Sequence, residues 1–251
     1  MKMLESKIAM VTGAGQGVGQ GIAFAIAEQG AKVAVTGRTF SKLEDTCNQI
    51  EKRGGEAMPV ECNVKSLESL QNRVEQVVAK FGGVNILVNN AQEVPHGPLH
   101  SVTDEAFEAG WQSGPLATLR LMKLCYPYLK GDGCIINLAS SATKRWDMSN
   151  YGAYAAVKDA IRSLSRAAAC EWGVDNIRTN VILPLATSPS LKWWTEHNPD
   201  EAAAFMAVLP MRRIGDCEDD IGRFVAVLCS DASRYVNGQS IGLDGGQAYI
   251  G

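Results

Sequence analysis

The chain has 251 residues, 46% hydrophobic and 20% charged, with 24 Lys and Arg against 27 Asp and Glu for a formal net charge of −3. A composition this close to the globular average excludes a fibrous repeat or a disordered tail, and mild acidity without a Lys/Arg run argues against nucleic acid or an anionic membrane as partner. No window approaches the roughly 18 apolar residues of a membrane-spanning helix, the start MKMLESKIAMVTGAGQG lacks the apolar core of a signal peptide, and the scattered cysteines have no C-x-x-C pair, so a cytoplasmic protein with reduced thiols is expected.

Along the chain, short β-rich runs alternate with longer helical patterns. KIAMVT leads through a glycine-rich loop to a helix over 19–30, AKVAVT to one over 41–53, and EAMPVEC to one over 67–81. VNILVNN precedes a long pattern over 104–129, GCIINLAS one over 151–172, and IRTNVILP a last helix over 219–229, before GQSIGLDGG closes the series. Runs this continuously apolar read as strands buried on both faces. The fold class expected is α/β: a single doubly wound Rossmann-like domain over 1–251, with about seven parallel strands, helices on both faces and ligands beyond the strands' C-terminal ends.

Two segments break the rhythm. In the long pattern, Pro115 follows Gly114; proline inside a helix costs about 3 kcal/mol unless the chain bends, so a local bend is expected. Between the last two strands, 185–211 reads as an insertion rich in large apolar side chains, including Trp193, Trp194, Phe205 and Met206. His96 and His100 have helical metal-pair spacing, but Pro95, Gly97 and Pro98 make the stretch a loop, and no metal site is expected.

The first loop, VTGAGQGVGQG, departs from strict G-x-G-x-x-G. Its Gly13, Gly17 and Gly19, with Gln16 and Val18 beside them, still bring backbone N–H groups and a helix N-terminus toward a pyrophosphate. Further on, Tyr154 and Lys158 stand four residues apart, one helical turn, which places both on one face; Tyr151 and Lys158 do not have that spacing. A cation there stabilises tyrosinate and lowers the phenol pKa toward neutrality, as a general acid/base requires. Ser140 and Ser141 end the preceding strand at the predicted ligand edge and offer a hydroxyl to orient a substrate oxygen.

The T-G-x-x-x-G-x-G loop, NNA at Asn89 to Ala91 and Tyr154-x-x-x-Lys158 together resemble the short-chain dehydrogenase/reductase family, a similarity that continues through RIGDCEDD and NGQSIGLDGG. The resemblance implies a nicotinamide cofactor, a small-molecule carbonyl or alcohol substrate, and a homotetramer or homodimer. It makes Ser140, Tyr154 and Lys158 the catalytic set, with Lys158 also bonding the nicotinamide ribose. Asn90 joins the cofactor site, and Asn63, beside Val64, stands where the family commonly has an Asp that meets adenine. Pro184 is followed by Thr187 and Ser188, either of which can bond the carboxamide. The second strand ends in Gly37-Arg38 with no carboxylate, and a guanidinium suits a 2′-phosphate, so NADP(H) is expected, with Thr39 as second ligand.

Four departures accompany the resemblance. Gln92 replaces the glycine of NNAG, Leu185 that of the usual PG, Gly114 stands where the family often has an Asn that holds a water, and Pro115 follows it. Gln112 or Ser113 is the expected replacement for that Asn. On the substrate side, Gln92, His96, Ser141, Tyr151, Trp193 and Trp194 are the candidates, Glu93 joins Gln92 and His96 at the mouth, and 185–211 corresponds to the family's lid. The expected activity is NADPH-dependent reduction of a bulky, largely apolar ketone to a secondary alcohol, or the reverse. Reduction of C=N or C=C bonds, a cofactor-binding protein with little turnover, and a lyase without nicotinamide remain the competing readings.

Overall fold

The computed structural model describes residues 2–146 and 150–250; Asp147 to Ser149 and the two ends of the expected 1–251 span lie outside the described residues. The first half alternates strictly: β1 Ile8–Thr12, α1 Gly17–Glu28, β2 Lys32–Gly37, α2 Phe40–Lys52, β3 Glu56–Glu61, α3 Leu67–Phe81 and β4 Ile86–Asn89. After β4 come α4 Asp104–Trp111, a π turn Gln112–Leu116, α5 Ala117–Leu129, β5 Gly133–Leu138, α6 Gly152–Trp172 and β6 Ile177–Pro184. Then α7 Pro189–His197 and α8 Pro199–Val208 occupy the insertion, and a second π turn Cys217–Gly222 runs into α9 Arg223–Cys229 before β7 Ser240–Leu243.

All strands pair in parallel in one seven-stranded sheet of order β3-β2-β1-β4-β5-β6-β7. Strand order reverses between β1 and β4, and the crevice at their C-terminal ends is where such sheets hold ligands.

Side-chain alternation divides the inner strands between two cores. Val11, Val35 and Val88 face Ile22 and Ile26 of α1 and Val225 of α9, while Met10, Ala34, Leu87 and Ile135 face Leu70 and Val74 of α3 and Leu121 and Met122 of α5. Each such buried side chain contributes about 1.5–3 kcal/mol relative to exposure. Because both faces are covered, polar alternation is absent from the strands, and their apolar runs have this origin.

The expected bend at Pro115 takes the form of the π turn between α4 and α5. In α register the proline ring would strike the carbonyl four residues back; the wider turn gives it room without ending the helical path. The helix expected over 219–229 likewise begins in π register at Cys217. No helix among the described residues is long and apolar enough to cross a membrane.

Candidate active site

The loop between β1 and α1 forms a cradle that side chains would fill. Gly13 and Gly17 have φ of +64° and +61°, and a Cβ on Gly19 would lie 2.6 Å from Gly13 O and 2.4 Å from Asn90 Nδ2. Gln16 precedes α1 in extended conformation without a side-chain cap, and no acidic residue occupies the first turn. The helix N-terminus therefore keeps its N–H groups and positive dipole for an anion, which fits a dinucleotide pyrophosphate. Val18 packs against the core below.

Asn90 braces this loop rather than standing free. Its Nδ2 donates to Thr12 O at 2.8 Å and Gly13 O at 3.1 Å, while the backbone N–H groups of Asn90 and Ala91 donate to Thr12 Oγ1. Behind it, Asn89 Nδ2 donates to Asn137 Oδ1 at 2.8 Å and Asn137 Nδ2 to Ser165 Oγ at 2.8 Å, a buried amide chain joining β4, β5 and α6. Asn137 and Ser165 were not among the residues singled out from the sequence; the signal for Asn137 was one amide inside an apolar strand.

At the other end of the groove, Arg38 and Thr39 follow β2 at the surface. Arg38 Nη1 lies 2.9 Å from Glu93 Oε1, and Lys65 Nζ lies 3.1 Å from the same oxygen. Glu93, expected at the substrate mouth, has its carboxylate held by these two cations. Asn63 lines a cleft with Arg38, Ser69 and Arg73, its Oδ1 accepting from the Lys65 N–H at 3.1 Å, and Val64 is buried beneath. The oxygen keeps a second lone pair for an adenine amino group.

Tyr154 and Lys158 project from the first turns of α6 toward the end of β5. Lys158 retains only 3% exposure. Its Nζ donates to Leu138 O at 2.7 Å and lies 5.5 Å from the centre of the Tyr154 ring. Burial lowers its pKa from 10.5 to about 7. Tyr154 departs from the expectation of a depressed pKa: burial pushes its phenol well up, a hydrogen bond with Ser140 pulls it back, and neighbouring Tyr151 adds to the rise. The cause is desolvation, which disfavours whichever form of each group is charged.

Of the paired serines, the structure separates one from the other. Ser140 meets Tyr154 and accepts from the Ala142 N–H at 3.2 Å. Ser141 is buried, and its hydroxyl donates to Gln247 Oε1 at 2.5 Å, more than a hundred residues along the chain. Tyr151 packs its ring 5.7 Å from that of Tyr154, and His96 packs edge-on 4.7 Å from Tyr151, so the three form one aromatic wall.

The insertion is tied together internally. Trp194 meets Phe205 edge-on at 5.9 Å, joining α7 to α8, whereas Trp193 stacks on His197 of its own helix at 4.3 Å and is 59% exposed. Pro184 ends β6 opposite Leu243. Thr187 donates its N–H and its hydroxyl to Gly215 O, leaving the hydroxyl oxygen as an acceptor, while the Ser188 oxygen caps α7 through the Leu191 N–H.

Known proteins share both this fold and most of this sequence span. Residues 13–248 match the family model described as Enoyl-(Acyl carrier protein) reductase. A 12alpha-hydroxysteroid dehydrogenase of a Clostridium species is 39% identical over 98% of both chains. Versicolorin reductase 1 of Aspergillus parasiticus is 31% identical over 97% of both. Among solved structures, a 7 alpha-hydroxysteroid dehydrogenase complexed with NADH and 7-oxo glycochenodeoxycholic acid superposes with a TM-score of 0.91 at 30% identity, over 97% of this chain and 94% of that one.

Proposed function

Because the chain belongs to the short-chain dehydrogenase/reductase family of nicotinamide-dependent oxidoreductases, we propose that it interconverts a steroid-sized, largely apolar ketone and its secondary alcohol with NADP(H). The observation that carries this reading is the Ser140–Tyr154 hydrogen bond beside buried Lys158. When bound, the nicotinamide supplies or removes the hydride.

Gly13, Gln16, Gly17, Val18 and Gly19 would hold the pyrophosphate, Arg38 and Thr39 a 2′-phosphate, Asn63 and Val64 the adenine. Asn90 keeps the loop in shape, Lys158 would bond the ribose, and Pro184 with Thr187 the carboxamide. In the reductive direction Tyr154 gives its hydroxyl proton to the substrate oxygen, which Ser140 holds by a second hydrogen bond. The phenolate left behind is stabilised by the Lys158 ammonium. Burial keeps Tyr154 protonated until that moment, which suits a general acid.

The substrate class rests on the aromatic wall of His96 and Tyr151, on the apolar side chains of α7 and α8, and on Leu99, which stands against Gly152 at the start of α6 yet is 75% exposed. Hydroxysteroid dehydrogenases among the relatives support the same size class. The matched family model favours reduction of a conjugated C=C as the second reading. Two hydroxyls converging on one atom favour a carbonyl oxygen.

The test is oxidation of NADPH and NADH by the purified protein with keto-steroids, small cyclic ketones, an enone and an imine. Turnover of a keto-steroid with NADPH is expected. Turnover of the enone or imine alone would replace the ketone reading, preference for NADH would remove the role given to Arg38, and cofactor binding without turnover would leave a non-catalytic protein.

A further inference from the structure

Gly114 and Gln92 share one volume. A Cβ placed on Gly114 would lie 2.2 Å from Gln92 Oε1 and 2.7 Å from Gln92 Nε2, so no side chain at 114 coexists with this Gln92. The Gln92 nitrogen donates to Gly110 O at 2.8 Å and Glu93 O at 2.9 Å. Gly110 stands at the end of α4, just before the π turn, and its carbonyl also lies 3.4 Å from the Ser113 hydroxyl. Gln92 reaches that carbonyl from outside the helix.

Its other end is unmatched. Gln92 Oε1 is buried without a hydrogen-bond partner, an arrangement that costs about 1–3 kcal/mol unless water or a ligand satisfies it. The two expected replacements at the turn are occupied elsewhere. Gln112 Nε2 donates outward to Glu108 Oε1 at 2.7 Å, and Ser113 Oγ donates to Ala109 O and accepts from the Glu93 N–H. The turn packs against α6, the helix of Tyr154 and Lys158. An ammonium carries three N–H donors, and Leu138 O takes one of those of Lys158.

We propose that Gln92 is a positioning residue for Lys158: its nitrogen ties the end of α4, and its buried oxygen holds a water between the π turn and α6 that accepts from the ammonium. Position 92 thus carries the polar group that position 114 lacks. The assignment of Lys158 to catalysis rests on the function proposed above, but the pairing of Gln92 with Gly114 and with Lys158 is tested on the protein without cofactor or substrate. Tyr154 is the titratable side chain beside Lys158, on the same helix. Burial is the one cause of the lysine's shift, with no carboxylate from β5, α4 or the turn contributing among the described residues.

The experiment measures denaturant stability of wild type, Gln92→Gly, Gly114→Asn, the Gln92→Gly/Gly114→Asn double variant and Gln92→Leu between pH 6 and pH 10. Each glycine or asparagine single variant is expected to lose stability, and the double variant to recover part of the loss, since an asparagine fits only when the glutamine is gone. A double variant no more stable than Gly114→Asn overturns the shared volume. Removing the oxygen in Gln92→Leu withdraws support from the Lys158 ammonium, so its deficit is expected to be larger at pH 6 than at pH 9, with the titration midpoint lowered by about half a unit or more. The excess at low pH is expected to vanish in a Lys158→Met background. A deficit equal at both pH values makes Gln92 purely structural and overturns the proposal. Absence of turnover with every carbonyl would sink the proposed function while leaving these stability results standing.

Discussion

Lys158 and Arg38 stand at opposite ends of the same groove with the same formal charge and opposite surroundings. Lys158 is 3% exposed and its pKa has come down to about 7, whereas the Arg38 side chain is 67% exposed and pairs with Glu93. Desolvation makes the buried cation responsive to neutral pH and to the groups packed around it. The ion pair of an exposed guanidinium is screened by salt and worth at most about 1 kcal/mol. The contrast teaches that burial sets the behaviour of Lys158, whereas the surroundings of Arg38 are solvent and one carboxylate shared with Lys65.

The largest effect should come from the buried end. Tyr154→Phe removes the proton donor while keeping the ring between Tyr151 and Lys158, and kcat for the ketone is expected to fall about 10²- to 10⁴-fold with cofactor affinity little changed. Stopped-flow turnover and fluorescence titration of NADPH separate the two. A variant retaining about a tenth of wild-type kcat would break the assignment.

Next comes the cost of the buried cation itself. Between pH 7 and pH 10.5 the unfolded chain binds a proton at Lys158 that the native protein lacks, so stability should rise with pH through that window. Below pH 7 the native state carries the buried charge at full cost. Lys158→Met should therefore be more stable than wild type at pH 6 by a few kcal/mol, with the advantage shrinking toward pH 10. Urea denaturation across that range checks it, and an advantage independent of pH would show that the lysine titrates normally.

The exposed end should give the smallest and most salt-sensitive changes. Arg38→Ala is expected to weaken NADPH binding about 10- to 100-fold, as loss of a charged hydrogen bond does, and to leave NADH nearly unaffected. Glu93→Gln should release Arg38 and tighten NADPH by about two- to fivefold, within the range of an exposed pair. Calorimetric titration at two salt concentrations reads both. Equal effects on NADPH and NADH would remove the 2′-phosphate from this end of the groove.

Much of this was legible in local pattern. The period of apolar residues marked each strand, the alternation with helices implied a parallel sheet, and the glycines after β1 announced a tight loop into a helix N-terminus. The four-residue step from Tyr154 to Lys158 is a helical repeat, and any helix would place the two on one face. Such features depend on neighbours in the chain, so they can be read before the chain is folded.

What local pattern did not contain was decided by residues distant in sequence. Gln247 takes Ser141 and leaves Ser140 for Tyr154; Glu93 reaches Arg38 across the groove; Gln92 occupies the volume at Gly114 and donates to the Gly110 carbonyl at the end of α4. The direction of the Tyr154 shift also differed from the expectation, because a helical neighbour's charge was considered without the loss of water around both groups. Periodicity and spacing are properties of the chain, and the sequence by itself determined the sheet, the glycine-rich loop and the Tyr154–Lys158 pair. Burial and partner choice are properties of the packed volume, and only the tertiary structure decided which serine meets Tyr154, which cation is tuned and which side chain fills the gap.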